Sequence, residues 1–154
     1  PMLAHHASFQ AKRAVGALQG TENEPATELV PAIVFTDPEI AWVGLTQTAA
    51  REQQRKVRPA VYPWAASGRA QALGRTDGLT RWLVDPETDR LVGCGIVGAG
   101  AGDLIAEAVL AIERGCHVQD VAELIHPHPT LSETLGGAAE VYLGTATEVY
   151  KPRR

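Results

Sequence analysis

The chain has 154 residues, 45% of them hydrophobic and 21% charged, with a formal net charge of −4. That length is enough for one domain with a hydrophobic core, and no apolar run is long enough to span a bilayer. The acidic balance and the lack of a basic stripe argue against a nucleic-acid surface.

In chain order, Leu3–Gln19 reads as a helix, because Ala4, Ala7, Ala11, Ala14, Val15 and Leu18 recur at helical spacing and Gly20 is a suitable stop. The polar stretch Thr21–Glu28 reads as a linker. Pro31–Thr36 is expected to be a strand, Asp37-Pro38-Glu39 a turn and Ile40–Gly44 a second extended piece. Thr46 is placed to cap a helix running to Arg55, and Val57–Trp64 reads as a strand. Ala65–Thr76, rich in small residues, is expected to be a loop. Leu79–Val84 and Leu91–Val97 flank the turn-forming run Asp85–Arg90, which predicts a β-hairpin. Helices are expected over Asp103–Arg114, Val118–Ile125 and about Leu131–Tyr142. Helices grouped after an antiparallel sheet of three to five strands make the fold class α+β.

Cys94 and Cys116 stand in different elements and in no CxxC spacing, so they read as buried free thiols, which fits a reducing, cytoplasmic compartment. No signal peptide is visible. The chain opens on Pro1-Met2 and runs straight into a helical pattern, so it reads as a piece of something longer. The cationic clusters Arg51–Lys56 and Lys151–Arg154 read as a solvated face and a terminus.

Gly98-Ala99-Gly100-Ala101-Gly102 joins a strand to a helix, but the spacing does not match GxGxxG and the strand belongs to a hairpin, so a tight turn is expected. The five histidines show no metal-site spacing; only His126 and His128 could chelate weakly from one face, and no metal is expected. Trp42, Trp64 and Trp82 read as core or interface anchors. The N-terminus of the first helix presents N–H groups that favour an electron-rich ligand, as every helix start does.

The segment with the most chemistry is Ile125-His126-Pro127-His128-Pro129-Thr130-Leu131-Ser132-Glu133. Pro129 pushes His128 out of the helical region, into an extended stub ahead of a helix beginning near Thr130. Glu133, one turn into that helix, can fix the tautomer of the imidazole and stabilise its protonated form, as a proton-transfer catalyst needs. Thr130-x-x-Glu133 also matches a capping box, so the carboxylate can equally serve the Thr130 backbone N–H, and the residues alone leave both roles open.

The chain resembles the C-terminal part of the dihydrolipoyl dehydrogenases, flavoproteins of the pyridine nucleotide–disulfide oxidoreductase class. The resemblance rests on Pro1–His5, Thr36–Thr46, Tyr62–Ala70, Ile96–Gly98 and His126–Glu133, which are collinear and span nearly the whole chain. Tyr62–Ala70 and Leu131-Ser132 favour the lipoamide enzyme within the class, particularly its bacterial form. The resemblance implies that His128 deprotonates dihydrolipoamide and exchanges protons with the partner subunit's redox disulfide, with Glu133 orienting it. It implies a homodimer, FAD as cofactor and NAD as acceptor. A lipoyl domain or free dihydrolipoamide is the implied substrate, and the core of a 2-oxo acid dehydrogenase complex the implied partner. Residues 1–20 would be the last helix of the FAD domain, with Met2, Leu3, Ala4 and His5 at the flavin's pyrimidine edge. Residues 21–154 would be the interface domain, with a cis His128–Pro129 peptide and Pro129 near the partner's flavin.

The sequence departs from the family at His6, where lysine is common, and at Pro127, where alanine is common. The FAD fingerprint, the redox cysteine pair and the nicotinamide domain are absent from these 154 residues. The chain alone is therefore expected to be inactive. The alternatives are a non-catalytic dimerisation module and a sibling reductase acting on another disulfide.

Overall fold

The computed structural model describes residues 1–21 and 29–149, and it divides into two units, Pro1–Val30 and Pro31–Arg154. The division falls later than the 20/21 boundary read from the sequence. The expected linker lies, from residue 22 on, outside the described residues.

In the first unit the alanine-rich run forms α1, Ala4–Gln19. It ends at Gly20, whose φ of 67° suits a residue without a Cβ. Gly20 N–H donates to the Ala17 carbonyl (3.1 Å) and Thr21 N–H to that of Gly16 (3.0 Å), which satisfies the last turn.

The second unit is an antiparallel sheet of five strands: β1 Ala32–Val34, β2 Ile40–Gly44, β3 Arg58–Pro63, β4 Leu79–Val84 and β5 Leu91–Val97. Their spatial order is β1-β2-β5-β4-β3. Between β2 and β3 lies α2, Gln47–Glu52, and Thr46 Oγ1 caps it by accepting from Ala49 N–H at 3.1 Å. After β5 come α4 (Ala101–Glu113), α5 (Val118–Ala122) and α6 (Glu133–Leu143). Helix α4 covers β2 and β5, and α6 covers β3 and β4, so both long helices lie on one face of the sheet. Alternation along the strands sends Ala41, Val43, Trp82 and Ile96 into that core, where each is almost wholly buried. Val34, Ile40 and Trp42 stand exposed on the other face.

The α+β class and the hairpin agree with the sequence. The expected loop Ala65–Thr76 does not: it holds a 3₁₀ turn at Trp64–Ala66 and α3, Gly68–Ala72. Ser67 Oγ accepts from Ala70 N–H at 3.3 Å and so caps α3, and the small side chain of Ala70 lets the turn pack down until it is fully buried. Helix α5 stops short of Ile125, because Pro127 excludes helical backbone at His126 and the chain must already be extended there. The last helix starts at Glu133, later than the expected Leu131.

The glycine-rich segment is the expected tight turn. A Cβ on Gly98 would lie 2.2 Å from the Trp64 ring, so the turn has no room for a side chain there. Glu39 closes it: its carbonyl accepts from Gly98 N–H (2.9 Å) and its carboxylate from Gly102 N–H (3.0 Å). A carboxylate thus already serves the positive end of α4.

Candidate functional site

The histidine stub is held between α5 and α6, and α6 is itself fixed by a buried polar chain. Trp64 Nε1 donates to Thr80 Oγ1 on β4 (3.0 Å), Thr80 and Thr134 share a hydrogen bond at 2.7 Å, and Thr134 Oγ1 donates to the Leu131 carbonyl (2.7 Å). Thr134 has one hydroxyl proton and gives it to Leu131, so Thr80 must be the donor to Thr134. Every polar hydrogen in this buried line is then used. Trp82 Nε1 adds a bond to the Leu135 carbonyl at 3.0 Å. The first turn of α6 is therefore tied to the middle of the sheet, and Glu133 with it.

Glu133 uses both oxygens. Oε1 lies 2.9 Å from His128 Nδ1, and Oε2 accepts from Thr130 N–H at 2.7 Å. Capping and orientation of the imidazole thus coexist. Only this carboxylate arm of the capping box forms. The Thr130 hydroxyl donates instead to the Pro127 carbonyl (2.7 Å), Ser132 occupies the cap position, and no side chain caps α6. The peptide bond between His128 and Pro129 is cis.

These contacts set the tautomer of His128. The carboxylate can only accept, so Nδ1 carries the proton and Nε2 keeps a lone pair. The side chain is 76% exposed, and among the described residues Nε2 has no hydrogen-bond partner. Burial pushes the Glu133 carboxyl up, but the Thr130 N–H, the His128 ring and the charges of His128 and His126 outweigh it, and it is held below its ordinary value. The result is an oriented imidazole whose second nitrogen is open.

Beside it lies a cleft of about 250 Å³ whose lining includes Tyr62, His126, His128, Glu133, Glu140 and Glu148. Burial, then Glu148, Glu133 and Glu140, push the Tyr62 hydroxyl up to about 12, so it stays protonated. Gly136 and Gly137 let α6 close on this cleft: a Cβ on Gly137 would sit 2.6 Å from the Tyr62 ring, and one on Gly136 3.1 Å from His126 Nδ1.

His126 and His128 do not act as a pair. His126 Nε2 lies 2.9 Å from Glu107 Oε1 on α4, and its side chain is only 8% exposed. The two rings thus reach different carboxylates, and the expectation that they could chelate from one face is corrected. Among the described residues no group of three histidine, cysteine or acidic side chains could hold a metal ion. Cys94 is buried as expected, and burial followed by Glu107 pushes its thiol up, whereas Cys116 is only half-buried, at the turn after α4. Trp64 and Trp82 lie in the core, but Trp42 stands on the exposed sheet face. In the first unit, Leu3 is extended ahead of α1, Met2 is fully exposed, and no side chain caps the first turn that Ala4 and His5 begin.

Glu107, Tyr62 and the Thr80–Thr134 bond were not singled out from the sequence. The only local sign of Glu107 is a carboxylate within the otherwise apolar run Leu104–Ile112.

Residues 30–139 match the family model described as pyridine nucleotide-disulphide oxidoreductase, dimerisation domain. A dihydrolipoyl dehydrogenase of Vibrio parahaemolyticus is 44% identical over 149 residues, which is 97% of this chain and 31% of that protein. The Bacillus subtilis dihydrolipoyl dehydrogenase is 42% identical over 151 residues, 98% of this chain and 32% of the relative. The crystal structure of LpdA from Mycobacterium tuberculosis superposes with a TM-score of 0.83 at 28% identity, covering 90% of this chain and 30% of that one. The flavoprotein disulfide reductase RclA of Escherichia coli, described as HOCl-induced, gives a TM-score of 0.74 at 26% identity, over 80% of this chain and 29% of that one. The chain spans about a third of the length of the curated relatives it matches. It belongs to the dimerisation-domain family of the pyridine nucleotide-disulphide oxidoreductases.

Proposed function

We propose that this chain is the interface domain of an FAD-dependent dihydrolipoyl dehydrogenase, and that His128 is the acid/base that works across the dimer on dihydrolipoamide. The observation that carries the reading is the 2.9 Å bond between His128 Nδ1 and Glu133 Oε1, which leaves Nε2 exposed as the basic atom. Nε2 takes the proton of a substrate thiol, and Glu133 stabilises the resulting imidazolium. The proton later leaves to solvent as the dithiol becomes a disulfide. NAD is the acceptor, and in the whole enzyme a lipoyl domain of a 2-oxo acid dehydrogenase complex delivers the substrate.

FAD, when bound, carries the two electrons from the thiols towards NAD. The residues present fit one edge of such a group. The first turn of α1 has neither a side-chain cap nor an acidic residue, and on this reading Met2, Leu3, Ala4 and His5 would lie at that edge. Pro129 would lie against the partner's flavin. On this reading residues 1–20 close the flavin domain and 21–154 form the interface domain. The chain holds no second cysteine near Cys94 in sequence, so by itself it is inactive.

The test is His128→Gln in the full-length enzyme, assayed for NAD reduction by dihydrolipoamide. Turnover is expected to fall about 10²–10⁴-fold with flavin content unchanged, as loss of general acid–base help does. Near-normal turnover would refute the assignment and leave a dimerisation module without chemistry. The structural similarity to a flavoprotein disulfide reductase supports a second reading, a sibling enzyme for another disulfide. Preference for glutathione and NADPH over dihydrolipoamide and NAD in the same assay would favour it.

A further inference from the structure

Helix α6 carries Glu133, Gly136, Gly137 and Glu140 at i, i+3, i+4 and i+7, so the four share one face. Two carboxylates, about 10 Å apart along the axis, thus flank a stretch of bare backbone. Tyr62 of β3 packs its ring on that stretch, where a Cβ on Gly137 would come within 2.6 Å of it. Beyond the left-handed turn at Gly144, the chain brings Glu148 to the same cleft. Three carboxylates therefore line it, and no lysine or arginine is among the described residues that do. Glu133 already spends its oxygens on His128 and the Thr130 N–H, and His126 is taken by Glu107. Among the described residues, the carboxylates of Glu140 and Glu148 have no hydrogen-bond or ion-pair partner. Neither has the Tyr62 hydroxyl, which keeps access to the cleft although the residue is only 5% exposed. A polar group this deeply placed is normally met by a partner.

We propose that this cleft is a seat for a primary ammonium group on an aliphatic stem, as ends a free alkylamine or a lysine side chain. An ammonium has three donors and no acceptor, which matches the Glu140 and Glu148 carboxylates and the Tyr62 oxygen. Leu124 and Ala122 give the stem an apolar wall. A carboxylate ligand would meet like charges on α6. A neutral amide or alcohol would leave the charges of Glu140 and Glu148 uncompensated beside Glu133. The buried phenol is what separates this cleft from an acidic patch on a surface, because it offers a polar atom at the bottom, where the head group stops. The inference goes beyond the acid/base reading and does not need it, since no proton transfer at His128 enters it.

The test is a backbone-amide NMR titration of this chain at low ionic strength with n-butylammonium, and with n-butanol and butyrate as neutral and anionic probes of similar length. Butylammonium is expected to give saturable shifts at Gly136, Gly137 and Glu140, and the other two none. Tyr62→Phe keeps the ring on Gly137 and removes only the oxygen, so it should weaken binding about two- to tenfold, the effect of one net hydrogen bond. Glu140→Gln keeps the shape and removes a charge, so it should weaken binding about tenfold or more and flatten its dependence on salt. The absence of saturable shifts overturns the proposal. Equal shifts with butanol would mark an apolar notch, and unchanged affinity in both variants a general surface attraction, and each overturns it too. If Glu140→Gln does not fold, Glu148→Gln, beyond the helix, reads the same charge. Nα-acetyl-lysinamide, titrated in parallel, stands for a lysine of a protein. Whichever of the two amines binds more tightly names the source, and either result supports the seat. The readout needs no turnover, so its failure leaves the acid/base assignment standing, and loss of that assignment leaves the titration meaningful.

Discussion

Two histidine–glutamate pairs stand two residues apart on one stub, with the same 2.9 Å separation between nitrogen and oxygen. Their surroundings divide the work. The His126 side chain is 8% exposed and the His128 side chain 76%. Burial makes the first pair an anchor between the stub and α4. Exposure gives the second an open nitrogen that can gain and lose a proton. On the proposed function, the same chemical pair is structural or reactive according to what covers it. The largest expected effect separates them on turnover in the full-length enzyme. His128→Gln should cost about 10²–10⁴-fold. His126→Gln keeps a donor for Glu107 and leaves the His128–Glu133 bond in place, so it should cost far less. Equal losses would erase the distinction.

Stability should reverse the ranking. Glu107→Ala leaves a buried imidazole without its partner and should lower unfolding free energy by about 1–3 kcal/mol, as loss of a buried hydrogen bond to a charged group does. Glu133→Ala removes a half-exposed carboxylate from one backbone N–H and one exposed ring, and should cost about 1 kcal/mol or less. Urea unfolding of the two variants at pH 7 measures both. If Glu133→Ala proves the more damaging, the exposed pair is the structural one.

Thr134→Val sharpens a related point, that α6 is aligned from inside the sheet. The variant keeps the shape but leaves the Thr80 hydroxyl without an acceptor, at a cost of about 1–3 kcal/mol. It should also broaden the His128 NMR signal, because the first turn of α6 holds Glu133. A sharp, unshifted His128 signal in a destabilised Thr134→Val chain would show that Glu133 is held by its own local contacts.

The exposed pair was legible in the sequence and the buried one was not. His128 and Glu133 are five residues apart with a proline between them, so local backbone rules bring them together. His126 and Glu107 are separated by two elements, α5 and the turn before it, and only the packing of α4 against the stub joins them. Strands and long helices were legible because period-2 and period-3.6 patterns record which face is buried. Helix α3 was missed because its five residues are too few to carry a period, and its cap, Ser67, sits among other small residues. The Thr80–Thr134 bond left no trace because threonine is mostly exposed in proteins and nothing local marks these two, on a strand and a helix 54 residues apart, as buried.

The smallest effect is also the one that distinguishes the pairs by sign. The folded-state pKa of His126 is raised, so its pairing contributes fully below the unfolded value of about 6.5 and fades as pH rises through the folded value. The folded-state pKa of Glu133 is lowered, so its contribution is present above about 4.5 and fades as pH falls through the folded value. The difference in stability between wild type and Glu107→Gln should therefore shrink from pH 6 to pH 9. The difference between wild type and Glu133→Gln should instead shrink as pH falls towards 3. Each change is on the order of 1 kcal/mol or less, and for Glu133 solvent screening reduces it further. Paired urea titrations at pH 3, 6 and 9 resolve it. Slopes of the same sign would mean that one electrostatic unit, and not two pairs with separate duties, holds the stub.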